Sequence, residues 1–162
     1  MIRLRRTKPA DLDFVLALER APENARFIGQ WSREEHVEAI ERGDREHWIV
    51  EREVTGERLG YLIAYDLVAQ GHGVYVKRIV VAEKSRGIGR AALERFCAQR
   101  AADTVWLTVF ENNRQAQRAY AAAGFERREM SARDRAELHA AVGGFSDESV
   151  VMGLQRLHPA DG

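Results

Sequence analysis

The sequence predicts one α/β domain built on a mixed sheet, and three observations lead to that prediction. The chain has 162 residues, which suffices for one domain with a hydrophobic core but not for two of ordinary size. Hydrophobic residues at 45% and charged residues at 31% are typical of a soluble globular protein. β-rich runs come first along the chain and then alternate with helical patterns, an order that favours one mixed sheet. Because the sequence has no repeat, low-complexity tract or linker, we expect a single domain over residues 1–162.

The N-terminal third is typical of a strand followed by two helices. Residues 1–6 form a short β-rich run, and Thr7 and Pro9 suit the cap and the first turn of a helix. The stretch Ser-Arg-Glu-Glu at 32–35 is a capping box, which predicts a short helix ending near Gly43. A polar loop with two aromatic residues connects these two helices.

The rest of the chain supplies a hairpin and then alternating strands and helices. Two β-rich runs, 47–53 and 58–67, flank a turn at Thr55 and Gly56 and predict a β-hairpin. Residues 131–146 fit neither pattern clearly. The other predicted elements are strands over 74–81, 104–110, 125–130 and 149–157, and helices over 87–101 and 113–123.

Charge and cysteine content exclude several classes of function. The chain has 25 Lys and Arg against 25 Asp and Glu, and a net charge of +0 argues against broad binding of nucleic acid or of an anionic membrane. The N-terminus lacks the apolar core of a signal peptide, and no apolar run is long enough to span a bilayer. The only cysteine, Cys97, excludes an internal disulfide and, at helix spacing with Leu93 and Phe96, is typical of a core thiol. We expect a cytoplasmic location and, since the histidines show no ligand spacing, no metal site.

A polar turn with two glycines lies directly before a predicted helix, in the stretch VVAEKSRGIGRAAL at 80–93. Gly87 and Gly89 leave the backbone bare where a helix begins, and there the free N–H groups and the helix dipole favour an anion. We therefore predict a phosphate site at this turn, and a pyrophosphate fits it. Three cationic side chains surround the glycines: Lys84, Arg86 and Arg90.

Other interpretations of the two glycines are a dinucleotide site, a nucleoside-triphosphate loop and a plain tight turn. Residues 87–92 match G-x-G-x-x-A, and Glu111 follows at the distance of a ribose-binding carboxylate. Against a dinucleotide site, the motif comes late in the chain, five residues separate it from the strand, and too little chain follows Glu111. Against a triphosphate loop, no Gly-Lys-Ser/Thr is present. The cations around the glycines disfavour a plain turn.

Two motifs resemble those of a known family. Residues 80–93 are similar to motif A of the GNAT superfamily of acyl-CoA-dependent N-acetyltransferases, Gln/Arg-x-x-Gly-x-Gly/Ala, in which Lys84 is a conservative departure. Residues 111–126 resemble the later motif Asn-x-x-Ala, Tyr, Gly-Phe of the same superfamily. The resemblance covers residues 74–130 and is nearest to the branch of ribosomal-protein and polyamine acetyltransferases. The second motif is matched by Asn113, Ala116, Tyr120, Gly124 and Phe125.

The resemblance implies a mostly antiparallel mixed sheet, flanked by helices, in which two central parallel strands splay apart. The pantetheine arm of acetyl-CoA then lies in the gap between strands 74–81 and 104–110, paired with the backbone of Ile79 and Val81. Asn113 also contacts the cofactor by this resemblance, although a plain N-cap role fits it equally well. The other implied cofactor contacts are Val80, Lys84, Arg86, Gly87, Ile88, Gly89, Arg90 and Ala116.

The same resemblance implies transfer of an acetyl group to a primary amine of a small molecule or protein by direct attack. The Val81 amide would stabilise the oxyanion, and Tyr120 would protonate the leaving thiolate, unless Tyr120 is only a packing residue. Related enzymes often have a glutamate as base on the second splayed strand, and here that position is Thr108, which cannot act as a base. The base could also be a water chain or one of four side chains: Glu23, Asp66, His72 and Glu111.

Three aromatic residues, the assembly state and the activity itself have alternatives that the sequence leaves open. Phe27 and Trp31 lie in a loop that resembles the segment lining the acceptor site of related enzymes, while Trp48 is expected in the core. The final strand could pair with a second subunit to form a homodimer, because edge strands often do. Thr108 also fits an alternative function, an acyl-CoA-binding regulatory module without turnover.

Overall fold

One seven-stranded sheet runs through the structure, a computed structural model that describes residues 1–26, 28–84, 86–100 and 104–154. The spatial strand order is β1-β2-β3-β4-β5-β7-β6, and every neighbouring pair is antiparallel except β4 and β5, which run parallel. This arrangement confirms the predicted fold class. The strands are β1 Ile2–Arg6, β2 Arg45–Arg52, β3 Arg58–Asp66, β4 Val74–Val81, β5 Val105–Phe110, β6 Glu126–Arg127 and β7 Ser149–Leu154.

Helices cover both faces of the sheet. On one face, α4 and α5 pack over a core that includes Leu62, Phe96 and Leu107, and on the other α1 and α6 pack over a core that includes Tyr61 and Trp106. None of the described helices is long and apolar enough to cross a membrane. The helices are α1 Leu12–Arg20, α2 Pro22–Ala25, α3 Arg33–Glu41, α4 Ile88–Ala98, α5 Arg114–Ala122 and α6 Ala132–Ala141, with 3₁₀ turns at Pro9–Asp11 and Val68–Gln70.

Local sequence signals placed most of these elements correctly. The capping box is present, since the Ser32 hydroxyl accepts from the Glu35 N–H at 3.2 Å and α3 begins at the next residue. The hairpin of β2 and β3 turns at Gly56, whose φ of +73° suits glycine. The ends of two predicted elements, Ala101 of the helix and 155–157 of the last strand, lie outside the described residues.

Two expectations from the sequence were wrong, and one stretch that the sequence left open is assigned by the structure. Thr7 is not a helix cap, because its hydroxyl is buried against His47 and the first turn begins at Pro9. The ambiguous residues 131–146 contain α6, which Ser131 caps by accepting from the Asp134 N–H at 3.0 Å. The final strand is not an edge, because β7 lies between β5 and β6, so the free edges belong to β1 and β6.

β4 carries one extra residue where it pairs with β3. Ile63 faces Arg78 and Ala64 faces Val76, so Lys77 is a β-bulge. The parallel pairing of β4 with β5 ends at Val76, immediately before the bulge. Past that point the two central strands share no further pairs among the described residues, and a gap opens between them.

A buried chain of polar side chains links the end of β1 to β4. The Thr7 hydroxyl lies 2.7 Å from His47 Nδ1, His47 Nε2 lies 3.0 Å from His36 Nδ1, and His36 Nε2 lies 2.9 Å from Glu19 Oε2. The other carboxylate oxygen of Glu19 accepts from the Arg78 guanidinium. Since the carboxylate only accepts, the His36 Nε2–H donates to Glu19. All five side chains therefore have partners in the core, where an unpaired polar group would be destabilising.

This chain makes the folded state sensitive to acid. Burial, followed by the nearby His36 and Arg78, lowers the pKa of His47 from 6.5 to about 3. Between those pH values the unfolded chain binds a proton that the folded protein excludes, so the stabilisation is complete above pH 6.5 and is lost as the pH falls toward 3. We expect wild type to lose up to about 1.4 kcal/mol per pH unit from this group.

His47→Gln removes the titrating ring and keeps an amide that can donate to His36. We expect its free energy of unfolding, measured with urea at pH 6.5 and pH 5, to fall less than that of wild type over the same interval. Equal losses in both proteins would mean that His47 is not held neutral in the folded state.

Candidate active site

A cleft of about 560 Å³ occupies the gap between β4 and β5. One wall is β4 from Lys77 to Val81, and the facing wall is the end of β5 together with α5. The turn before α4 closes the cleft at one end, and parts of α2 and of the segment between α6 and β7 border it elsewhere. The cleft thus brings together a strand edge, a helix N-terminus and side chains from four other segments.

The bulge at Lys77 decides which backbone groups face the gap. Near the start of β4 the Val74 N–H donates to Thr104 at 2.8 Å, toward β5, whereas past its end the Ala82 N–H donates to Leu59 at 2.8 Å, toward β3. Because backbone direction alternates along a strand, the N–H and C=O groups of Ile79 and Val81 point into the gap. Those of Val80 point toward β3, so only its side chain is left to line the cleft. A strand edge with two free residues is available to a ligand that has amide groups.

The turn before α4 presents its backbone amides to the same cleft. Gly87 is the N-cap with φ +74°, and the first bond into the helix runs from the Ala91 N–H to the Gly87 C=O at 3.0 Å. The amides of residues 88–90 precede that bond and have no acceptor within the helix. A Cβ built on Gly89 would meet only Val81 Cγ1, at 3.9 Å, so the space above this turn is open. The buried Ile88 side chain anchors the turn to the core.

The predicted cations surround this turn, and they differ in exposure and in how closely they are paired with a carboxylate. Arg86 is 74% exposed and 4.0 Å from Glu83, whereas Arg90 is paired with Glu94 at 2.7 Å. Lys84 lines the cleft, and partial burial lowers its pKa although Glu23 opposes the shift. Positive charge and free amides therefore lie together at the end of the cleft, as a bound phosphate requires.

Tyr120 and Asn113 face the cleft from α5. The Tyr120 ring packs near Phe125, with centroids 6.5 Å apart, and burial raises the pKa of its hydroxyl to about 12. Tyr120 is therefore protonated at neutral pH and able to donate. Asn113 is the N-cap of α5, since its Oδ1 accepts from the Ala116 N–H at 3.3 Å. Asn113 and Ala116 both line the cleft as well.

The structure separates the side chains that the sequence offered as bases. Thr108 lines the cleft and lies 3.1 Å from the Tyr75 hydroxyl. Glu23 on α2 also lines the cleft. Within the described residues, three candidates are outside its lining: Asp66, His72 and Glu111.

The predicted aromatic residues have packing roles where they are described. Trp31 lies edge-on to His36 at 5.2 Å and beneath the Arg78 guanidinium at 5.0 Å, and it lines an adjoining pocket rather than the cleft. Trp48 packs against Arg6 at 4.1 Å. Phe27 lies outside the described residues.

The sequence analysis missed several residues that line the cleft. Lys77 and Arg78 are adjacent cations in an otherwise apolar strand, a visible signal, but plain alternation would have put them on opposite faces of the sheet. The segment after α6 gave no signal because its residue types are ordinary for a loop. The residues missed include Asn24, Lys77, Arg78, Gly144, Phe145, Ser146 and Ser149.

Comparisons with known proteins give a family profile and several solved structures. The sequence profile of the Acetyltransferase (GNAT) family matches residues 14–125. No curated protein matches the chain significantly in sequence.

In the described residues no group of His, Cys, Asp and Glu side chains could hold a metal ion.

Solved structures share the fold at low sequence identity. The ribosomal-protein-S18-alanine N-acetyltransferase from Escherichia coli is 17% identical, covers 100% of this chain and 99% of its own, and has a TM-score of 0.70. An acetyltransferase from Thermus thermophilus is 21% identical over 94% of this chain and 96% of its own, with a TM-score of 0.67. An aminoglycoside acetyltransferase in complex with coenzyme A and kanamycin is 16% identical over 96% of this chain and 95% of its own, with a TM-score of 0.70.

Alanine at the two glycines should have opposite effects on stability. Gly87→Ala forces a side chain into the left-handed region and should cost about 1–2 kcal/mol. Gly89→Ala is in a helical turn with room for a Cβ and should add about 0.5–1 kcal/mol. Urea unfolding of both variants measures the difference, and a Gly87→Ala protein as stable as wild type would contradict the left-handed cap.

Proposed function

The chain belongs to the GNAT family of acetyltransferases, and from this premise we propose that it transfers the acetyl group of acetyl-CoA to a primary amine. One observation carries the proposal: the gap between β4 and β5 presents two free backbone positions that lead directly to the bare amides of a helix N-terminus. An extended arm with amide groups, ending in a pyrophosphate, has the chemistry that this succession of groups would bind.

The residues of the turn would hold the phosphates. The amides of residues 88–90 would donate to phosphate oxygens, and Lys84 and Arg86 would add positive charge. The backbone of Ile79 and the C=O of Val81 would pair with the pantetheine amides, and Val80, Asn113 and Ala116 would contact the arm from the two walls. Backbone groups would thus bind acetyl-CoA along its length, which leaves side chains of the cleft free to contact the acceptor.

In acetyl transfer the amine must lose a proton, the charge on the carbonyl oxygen must be stabilised, and the leaving sulfur must be protonated. The cleft offers a backbone amide for the second of these and a hydroxyl for the third. The amine nitrogen attacks the thioester carbon, and the Val81 amide would stabilise the negative charge that develops on the carbonyl oxygen. The carbon–sulfur bond then breaks, and the Tyr120 hydroxyl would give its proton to the sulfur. Its raised pKa keeps Tyr120 protonated until that moment.

The proton lost by the amine needs an acceptor. Of the four side chains proposed from the sequence, Glu23 is the one that lines the cleft, and it is exposed to solvent. We propose Glu23, or water connected to it, as the acceptor of that proton. Thr108 stands where related enzymes have a glutamate and has no basic group.

A second candidate function is an acyl-CoA-binding regulatory module without turnover. Thr108 favours it, because its hydroxyl contacts Tyr75 and offers no base. Tyr120 at the cleft wall speaks against it, since binding alone has no need of a proton donor there. Release of free thiol from acetyl-CoA in the presence of amines separates the two functions.

Acetyl-CoA should stabilise the protein, and NAD or NADP should not. At about 100 times its Kd, acetyl-CoA should add about 2.7 kcal/mol to the folded state and raise the Tm by several degrees. In Gly89→Val a branched side chain would cover the amides of the turn, and affinity should fall more than tenfold, or more than about 1.4 kcal/mol. Calorimetry and thermal melting measure both effects.

Ala98→Val is the matched control, since it places the same residue at an exposed position of the same helix, and it should bind acetyl-CoA as wild type does. A larger shift with NAD would favour a dinucleotide site. Unchanged acetyl-CoA affinity in a folded Gly89→Val protein would contradict the assignment of the turn to phosphates.

Tyr120→Phe should reduce turnover without reducing binding. The change removes the hydroxyl and keeps the ring that packs near Phe125. General acid catalysis contributes about 10²–10⁴-fold, and a thiolate is a fairly good leaving group, so we expect a loss on the order of tenfold to a hundredfold in kcat at neutral pH. Tyr61→Phe, the same change at a buried tyrosine outside both the cleft and the adjoining pocket, should retain activity. Full turnover in Tyr120→Phe would make Tyr120 a packing residue.

A further inference from the structure

Two adjacent cations line the cleft at the Lys77 end of β4, away from the turn before α4, because of the bulge in this strand. Lys77 is the extra residue, and Lys77 and Arg78 both line the cleft. Both also lie near Trp31, since Arg78 is 5.0 Å from its ring and Lys77 lines the adjoining pocket with it. The bulge therefore places on one face of the sheet two side chains that regular alternation would have separated.

Arg78 is held rigidly, and its charge is balanced. Glu19, which is 0% exposed, accepts from Arg78 Nη1, and His36 fixes the other carboxylate oxygen at 2.9 Å. A guanidinium has five N–H donors, and Glu19 is the one side-chain acceptor of Arg78 in the described part of the chain. The other donors of Arg78 have no hydrogen-bond acceptor among the described residues, and Arg78 lines the cleft.

Lys77 has a charge that no neighbour balances. Across the described ranges, no carboxylate lies within ion-pair distance of its ammonium group, and the charged groups that act on it are the cations Arg78 and Arg45. Their repulsion adds to that of partial burial, which is the larger cause of its lowered pKa. Two acidic side chains border the adjoining pocket but are engaged elsewhere: Glu35 in the capping box of α3 and Glu38 with Arg42.

We propose that Lys77, with the free donors of Arg78, binds a carboxylate of the acceptor, so that the amine to be acetylated belongs to a small amino acid. The inference rests on the proposed acetyl transfer and deepens it. A carboxylate would supply the negative charge that Lys77 lacks and accept charge-assisted hydrogen bonds. A polyamine or another polycation would instead meet uncompensated positive charge at this wall, and like charges disfavour such a complex.

The test compares amino acids with their carboxamides in a thiol-release assay with acetyl-CoA. Each pair has the same amine and side chain and differs in the carboxylate alone. The amine of a carboxamide loses its proton more readily, so a preference for the acid cannot come from the reactivity of the amine. We expect the best of the twenty standard amino acids to exceed its carboxamide at least tenfold in kcat/KM, and to exceed spermidine as well.

Lys77→Met should remove this preference. The variant keeps the length of the side chain and loses the ammonium, so kcat/KM for the acid should fall about tenfold, mainly through KM, while that for the carboxamide stays within about twofold. Lys8→Met, the same change at an exposed site remote from the cleft, is the matched control and should keep the wild-type preference. Equal activity on acid and carboxamide in wild type, equal losses on both in Lys77→Met, or a preference for spermidine would overturn the proposal.

The design separates failure of the subsite from failure of the proposed function. If acetyl-CoA raises the Tm but no amino acid is acetylated, and none binds in calorimetry to the protein saturated with coenzyme A, the carboxylate subsite is wrong. If acetyl-CoA itself neither binds nor releases thiol, the proposed acetyl transfer is wrong.

Discussion

The extra residue in β4 is the constraint on which the cleft depends. Without Lys77 the alternation set at Val74 would continue, and Ile79 and Val81 would turn their backbone groups toward β3 instead of the gap. A bulge also bends the strand that carries it, which is consistent with the end of parallel pairing at Val76. One inserted residue therefore opens the gap, directs its free amides and brings two cations onto one wall.

The chain of polar side chains behind that wall stabilises the buried guanidinium of Arg78. A guanidinium buried as deeply as that of Arg78 is tolerated only when it is paired, and removing one partner of a buried pair is strongly destabilising, by about 3–5 kcal/mol. Glu19 supplies the partner, His36 bonds to Glu19, His47 bonds to His36, and Thr7 bonds to His47. The position of a residue at the cleft is thus tied to the first strand of the chain through four side chains rather than through the backbone.

Local chemistry explains which parts could be predicted from the sequence. The capping box at Ser32, the turn at Gly56 and the glycines before α4 depend on a few neighbouring residues, so their sequence signals were sufficient. The bulge at Lys77 depends on how β3 and β4 register, and the interior position of β7 depends on long-range pairing, neither of which is written in a local pattern. Helix α6 was missed because its outer face is polar, leaving little apolar periodicity to recognise.

The short parallel seam between β4 and β5 has a mechanical consequence. It joins two antiparallel blocks, β1–β4 on one side and β5, β7 and β6 on the other, through pairs at residues 74–76 and 105–107 alone. Because these pairs are few, the two blocks are held together mainly by side-chain packing on the two faces of the sheet. A ligand that contacts the edges of both strands would add contacts across the seam, so we expect an occupied cleft to make the sheet more rigid.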